Sequence, residues 1–274
     1  MSGSLTILPL PVVDSRIKPT ESPQLVQVLD NIRFSIPNAY PDGEMDDFAW
    51  FAREYPRAYR HHIECSDFRI DTISQLYAQL HRELIAKLDH NDPPLEISIS
   101  NLRVKRIYWD FESFLGEIGS SLDLLVRIVG VAYKNEMPPN FNKFCRKEIP
   151  NDPYLTLFRT AQRRWVNRMK DYRDCFVHYT PADTQLSIRL VRRANGYETR
   201  CKLPVNPNER DITRFRFPAS VELLRYAISL QRNMRALDRA VALVVKRDYQ
   251  AGLFPARNHG LFNVGRRERS GDQS

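Results

Sequence analysis

The sequence predicts a mainly α-helical fold, a bundle of helices with one inserted β-hairpin, and three observations carry that expectation. Apolar residues recur at three- and four-residue steps over long stretches, which is the period of a helix. Asp-Pro and Pro-Pro steps start or stop those stretches. The pattern switches to alternation only around residues 185–205, where Asn195-Gly196 separates two alternating runs.

From Ser2 to about Asn38 the chain is punctuated by proline, and one short helical segment fits near Pro23 to Ile32. Two helices are expected next, around Asp46 to Arg57 and from about Asp67 to His90, the second with Ile70, Ile73, Leu76, Leu80, Leu84 and Leu88 on one face. "HNDPPLE", His90 to Glu96, ends it. "EISISNLRV" fits either a short strand or an extended linker. The strongest helix spans about Arg103 to Lys134, with an apolar face running from Ile107 through Phe111, Phe114, Leu115, Ile118, Leu122 and Leu125 to Val129.

Asp152 as N-cap followed by Pro153 at the first helical position starts a helix running to about Tyr179. Phe158, Ala161, Trp165, Met169, Tyr172 and Phe176 form its buried face, and Pro181 stops it. The hairpin carries Arg189, Arg192, Arg193, Arg200 and Lys202. A last helix is expected from about Pro218 to Lys246, followed by a basic, flexible tail over residues 249–274.

Charge is distributed unevenly. The net charge is +8, yet residues 1–100 hold nine Lys and Arg against fifteen Asp and Glu, so the basic excess lies wholly in residues 101–274. Such a field favours a polyanion, nucleic acid first and acidic membrane second, although arginine-rich surfaces also serve solubility alone. The same boundary divides the expected domains: an acidic N-terminal extension with helices (1–99), a helical bundle with its hairpin (100–248) and the tail.

Cys65, Cys145, Cys175 and Cys201 have neither CxxC spacing nor histidines at zinc distances, so reduced thiols are expected rather than a disulfide framework or a metal. His61-His62 with Glu64 and Cys65 resembles a ligand set only superficially, because adjacent histidines on a helix point to different faces. No Gly-rich phosphate loop appears, and no cofactor is expected. The N-terminus lacks the pattern of a secretory signal and no segment approaches about 20 apolar residues, so a soluble cytoplasmic protein is expected. Trp50, Phe51 and Tyr55, and likewise Tyr108, Trp109 and Phe111, are read as core rather than base-stacking platforms.

The segment "YRDCFVHY", Tyr172 to Tyr179, sets Arg173 five residues before His178. On an ideal helix these point about 140° apart, so reaching one phosphate needs arginine's length, a bend before Pro181, or a second copy of the helix across a two-fold axis. The residue types suit metal-independent RNA cleavage. An imidazole takes or gives the proton of the 2′-hydroxyl or 5′-oxygen, and a guanidinium holds the phosphate and never loses its charge. Asp174 is placed to orient a group at the site. Equally, a histidine in a last turn answers the helix dipole and an arginine on a helix faces water.

This segment resembles the R-x4–6-H signature of the HEPN (higher eukaryotes and prokaryotes nucleotide-binding) family, whose arginine is typically followed by Asn, Asp or His. "FESFLGEIGSSLDLLVRIV", Phe111 to Val129, is similar to the acidic companion helix of several bacterial members. The resemblance covers roughly residues 100–248 and implies an up-and-down four-helix bundle. It also implies a homodimeric endoribonuclease leaving 2′,3′-cyclic phosphate and 5′-hydroxyl ends, with a toxin or antiviral role and a possible neutralising antitoxin. Some members are instead catalytically silent nucleic-acid- or protein-binding modules.

On the companion helix Glu112 and Asp123, eleven residues apart, are about 20° from exact alignment, and Gly116 and Gly119 lie along nearly the same line. The acids suit orientation of Arg173 or His178 and the glycines suit close approach. The alternative is a solvated flank with Asp123 paired to Arg127. Candidate phosphate contacts are Arg163, Arg164, Lys170, Arg189, Arg192 and Arg193. Tyr179 directly follows His178, whereas members paired with a nucleotidyltransferase carry a tyrosine one residue later, so modification of that tyrosine is not implied. The hairpin and residues 1–99 lie outside the family pattern.

Overall fold

In a computed structural model, residues 22–35, 47–88, 96–133, 140–176, 188–194, 196–217 and 221–252 are described. They form α1 (Gln24–Ser35), α2 (Asp47–Ile85), β1 (Glu96–Ile99), α3 (Leu102–Tyr133), α4 (Phe141–Cys145), α5 (Pro153–Ala161), a π-helical turn (Gln162–Val166) and α6 (Asn167–Asp174). β2 (Ile188–Arg193), β3 (Gly196–Cys201), a 3-10 turn (Ile212–Arg214) and α7 (Leu223–Gln250) follow. The chain is therefore mainly helical with a small antiparallel sheet. No described helix is long and apolar enough to cross a membrane.

The residues divide into two compact units. The described residues of His62–Gly119 and Gln162–Met234 form unit 1, and those of 22–61, 120–161 and 235–252 form unit 2. The division does not fall at residue 100, because α2, α3 and α7 each contribute a part to both.

Unit 1 buries Ile63, Ile70, Ile73 and Tyr77 of α2, Ile107, Phe111, Phe114 and Ile118 of α3, and Met169, Tyr172 and Phe176 of the motif segment. The ring of Phe111 meets Phe176 edge-on at 5.9 Å, and Tyr172 meets Tyr226 at 4.9 Å. Flanking this core, α2 and α3 are laced by Arg69–Asp110 (2.9 Å) and His62–Glu117 (2.6 Å). As the number on α2 falls by seven that on α3 rises by seven, so these helices run antiparallel with a two-turn repeat.

Two helices were expected where α2 is one. Pro56 lies inside it at the loss of a single backbone donor, and the buried positions Tyr59, Ile63, Ser66 and Ile70 carry the stripe across the expected gap. "EISI" is a strand. β1 pairs antiparallel with β2 (Ile97 opposite Leu190) and β2 with β3 (Leu190 opposite Thr199), so the hairpin belongs to a three-stranded sheet in the order β1-β2-β3. Arg193 opposite Gly196 closes the hairpin, and Gly196 adopts φ 131°, a conformation that favours glycine.

The buried carboxylate of Glu222 ties the sheet to the start of α7 within unit 1. It accepts the backbone N–H groups of Leu224 (3.2 Å) and Arg225 (2.9 Å), capping the helix, and also the hydroxyl of Tyr77 and the N–H of Cys201 (3.4 Å). α7 accordingly begins at Leu223, later than expected; Pro218 lies outside the described residues.

Unit 2 uses the same device. Asp238 of α7 accepts the N–H groups of Gln24 (2.6 Å) and Leu25 (3.3 Å) at the open end of α1, together with the Tyr59 hydroxyl (3.0 Å). Phe158 packs against Phe141 and Phe144 of α4, a helix absent from the sequence-based expectation although Asn140 caps it by accepting Lys143 N–H at 2.9 Å. Asp152 caps α5 as expected, accepting Leu155 N–H at 2.9 Å.

Two aromatic expectations are corrected. Tyr108 and Phe111 are buried, but Trp109 is 45% exposed, because two residues set it about 200° round the helix from Phe111. Trp165 is only half-buried, and Val166 takes its place in the core. The π turn explains this: one extra residue in the turn moves the apolar stripe from Ala161 to Val166, a five-residue step, before it resumes at Met169 and Tyr172.

Candidate functional site

The helix carrying the motif reaches Arg173 and Asp174 with its apolar side anchored by Met169, Tyr172 and the buried Cys175. Tyr172 donates its hydroxyl to Pro204 O at 2.7 Å, and Arg168 lies over the Tyr172 ring at 5.0 Å while donating to Val205 O at 2.7 Å. These contacts fix the rotation of the helix one residue before Arg173. The backbone leaves α geometry again just beyond, where Cys175 N–H is shared between Asp171 O and Tyr172 O.

Arg173 is half-exposed, and its guanidinium is oriented from two sides. Nε and Nη2 donate to Asp174 Oδ1 at 3.3 and 3.2 Å. Nη1 lies 3.4 Å from the point a Cβ on Gly119 would occupy, so the guanidinium rests in ordinary contact distance of that bare stretch of α3. Gly116, one turn earlier, has nothing within 4 Å of the corresponding point. Asp174 thus meets Arg173 itself. His178 and Tyr179 lie outside the described residues.

The two acids of the companion helix have different surroundings. Glu112 is half-buried in unit 1, and loss of water raises its carboxyl above the usual range. Asp123 belongs to unit 2, where Oδ1 accepts the N–H of Phe141 at 2.8 Å and so steadies the start of α4. Arg127 lies over the Tyr55 ring at 5.8 Å. Cys175, beside Asp174, is not a poised nucleophile: burial pushes its thiol up to about 11. Among the described residues no group of three or more His, Cys, Asp or Glu is placed to hold a metal ion. His62 faces Glu117, and the neighbouring His61 is exposed.

Arg163 and Arg164 are exposed on the π turn, and Lys170 is half-buried on α6. The sheet separates the hairpin arginines. Arg189 and Arg193 share the side opposite the buried Ile188, Leu190, Thr199 and Cys201, whereas Arg192 falls on the alternate side at the exposed end of β2. On the outer side Arg200 stands directly across from Arg189, a like-charge pair. Glu198 is the hub of this face, accepting from Arg200 (2.8 Å), Arg193 (3.2 Å) and Arg225 (3.0 Å).

Burial alone raises the Glu198 carboxyl, but the hydrogen bonds from Arg200 and Arg193 and the charges of Arg200 and Arg225 outweigh it and hold the group below the usual range. Glu198 and Arg225 were missed in the sequence reading. The period-two register of the hairpin puts Glu198 beside the arginines of β2, but the reach of Arg225 from α7 has no local signature. The chain matches no family model, no curated protein and no solved structure.

Proposed function

We propose that this protein is a metal-independent endoribonuclease of the HEPN type. Its products would carry 2′,3′-cyclic phosphate and 5′-hydroxyl ends, and its role would be that of a toxin or an antiviral effector. The observation that carries the reading is the state of Arg173. This arginine of the R-x4-H run, Arg173-Asp174 with His178 following, is braced by Asp174 and seated against Gly119 with its guanidinium still partly open to solvent.

In this reading Arg173 holds the non-bridging phosphate oxygens and stabilises the charge that builds on them, because a guanidinium offers paired donors at fixed geometry. His178 moves the proton between the 2′-hydroxyl and the departing 5′-oxygen. Asp174 positions Arg173, and Glu112 supports the site from α3. A homodimer supplies a second Arg173 and His178. The outer sheet face with Arg189, Arg193 and Arg200 holds the RNA backbone, and a neutralising antitoxin would cover the same cations.

The test is end-group analysis of RNA incubated with the purified protein in chelator. Cyclic-phosphate ends from wild type, and none from Arg173→Ala or His178→Ala, are expected. Equal cleavage by all three proteins would falsify the assignment. A second reading, a catalytically silent nucleic-acid-binding module, is favoured by the same arginine-rich face, which binds a polyanion without any reaction. It predicts RNA affinity that falls with salt and no cleavage by any of the three.

A further inference from the structure

Four large apolar side chains stand exposed among the described residues: Phe68 (64%), Leu102 (69%), Trp109 (45%) and Leu243. Single exposed apolar residues need no explanation, but three of these belong to one surface of unit 1. The Arg69–Asp110 ion pair fixes the register there. Phe68 and Trp109 each precede a member of that pair by one residue, and the buried Ile70 and Phe111 each follow by one. Since the helices are antiparallel, both aromatic side chains fall on the side of the α2–α3 pair turned away from the core. Leu102 is two turns before Trp109 on the same stripe, about 10 Å along the axis. Beside it lies an open depression of about 660 Å³ lined by Glu83, Lys87, Asn101 and Arg103 among others.

The charges select the occupant. Between Leu102 and Trp109 stand Arg103 and Arg106, both more than half exposed, and Arg69 shares Asp110 with Arg106. Glu83 pairs with Arg103, so three arginines meet two carboxylates here, and the exposed aromatic groups are a tryptophan and a phenylalanine rather than the aliphatic rows of a helix-binding groove. We propose that Phe68 and Trp109 form a stacking platform for unpaired bases, with Arg103 and Arg106 on the adjoining phosphates, so that this face takes single-stranded RNA. The proposal rests on the nucleic-acid part of the functional reading and is independent of cleavage.

The test is fluorescence anisotropy of the full chain with a short labelled 2′-O-methyl RNA single strand, which cannot react through a 2′-hydroxyl, and with a duplex of the same length. Trp109→Ala should weaken single-strand binding by about tenfold or more and Phe68→Ala by several-fold, while Trp109→Phe stays within about threefold of wild type. Duplex affinity should not move, since paired bases cannot stack on the platform. Unchanged single-strand affinity in both alanine variants overturns the proposal, as does loss of self-association in place of loss of RNA binding, which would mark a protein interface. Platform-dependent binding without cleavage of the unmodified strand in a parallel reaction would sink the nuclease reading alone; cleavage of that strand with platform-independent binding would sink the platform alone.

Discussion

Replacing the two glycines of α3 separates helix propensity from the seating of Arg173. Glycine in a helix interior costs about 1 kcal/mol relative to alanine. At Gly116 the added methyl meets nothing within 4 Å, so Gly116→Ala should recover that amount in full. For a chain of 274 residues this is a rise of roughly 2 °C in the melting temperature. Gly119→Ala gains the same propensity and places its methyl 3.4 Å from Arg173 Nη1, a contact the guanidinium tolerates. Gly119→Val adds two further carbons, about 1.5 Å beyond Cβ, and one of them must enter the guanidinium's space. Arg173 then leaves its seat and its bonds to Asp174. The assay pairs thermal denaturation with RNA cleavage across Gly116→Ala, Gly119→Ala and Gly119→Val. Gly116→Ala should be stabilised and fully active, Gly119→Ala folded and active, and Gly119→Val folded with cleavage reduced at least tenfold. Wild-type cleavage by Gly119→Val would refute the claim that the bare backbone at Gly119 positions the arginine.

Glu222→Ala should destabilise unit 1 by about 3 kcal/mol, read from urea unfolding, because a helix cap is lost and the buried Tyr77 hydroxyl is left without its acceptor. Glu198 has a folded-state carboxyl below its ordinary value, so its contribution is present above the unfolded pKa and lost as pH falls through the folded one. After screening, the difference between wild type and Glu198→Gln should be about 1 kcal/mol at neutral pH and vanish in acid, with pH-dependent denaturant titrations as the measure. Cys175 should resist alkylation at pH 8 in the native protein and react once unfolded, as followed by mass spectrometry, because burial holds it protonated.

What the sequence made legible was local. Asp152-Pro153 carries its own capping chemistry within four residues, and the hairpin turn announces itself through Asn-Gly and the alternation on either side. The long apolar faces of α3 and α7 were equally readable, since burial along one helix needs only its own period. Features that depend on distant partners were not. Glu222 and Asp238 cap helices through backbone groups, but Asp238 lies 214 residues from Gln24, and no spacing reports such a pairing. β1 is too short to declare itself without its neighbour β2. The stretch between Arg57 and Asp67 read as a break because the packing that carries α2 through it is supplied by other segments. At the candidate site the sequence identified Arg173 and Asp174 as neighbours in chemistry, whereas the approach of Arg173 to Gly119 and the commitment of Asp123 to Phe141 emerge only from the fold.

The π turn at Gln162–Val166 is one wide turn of the helix, in which the buried position falls on Val166 in place of Trp165. A heptad frame carried forward from Phe158 therefore misplaces the core only inside the turn, at Trp165, and is back in step at Tyr172. The bearing of Arg173 is set beyond the turn, where Tyr172 is held at Pro204 O and Arg168 at Val205 O, so the rod's irregular winding upstream is absorbed before the arginine is reached.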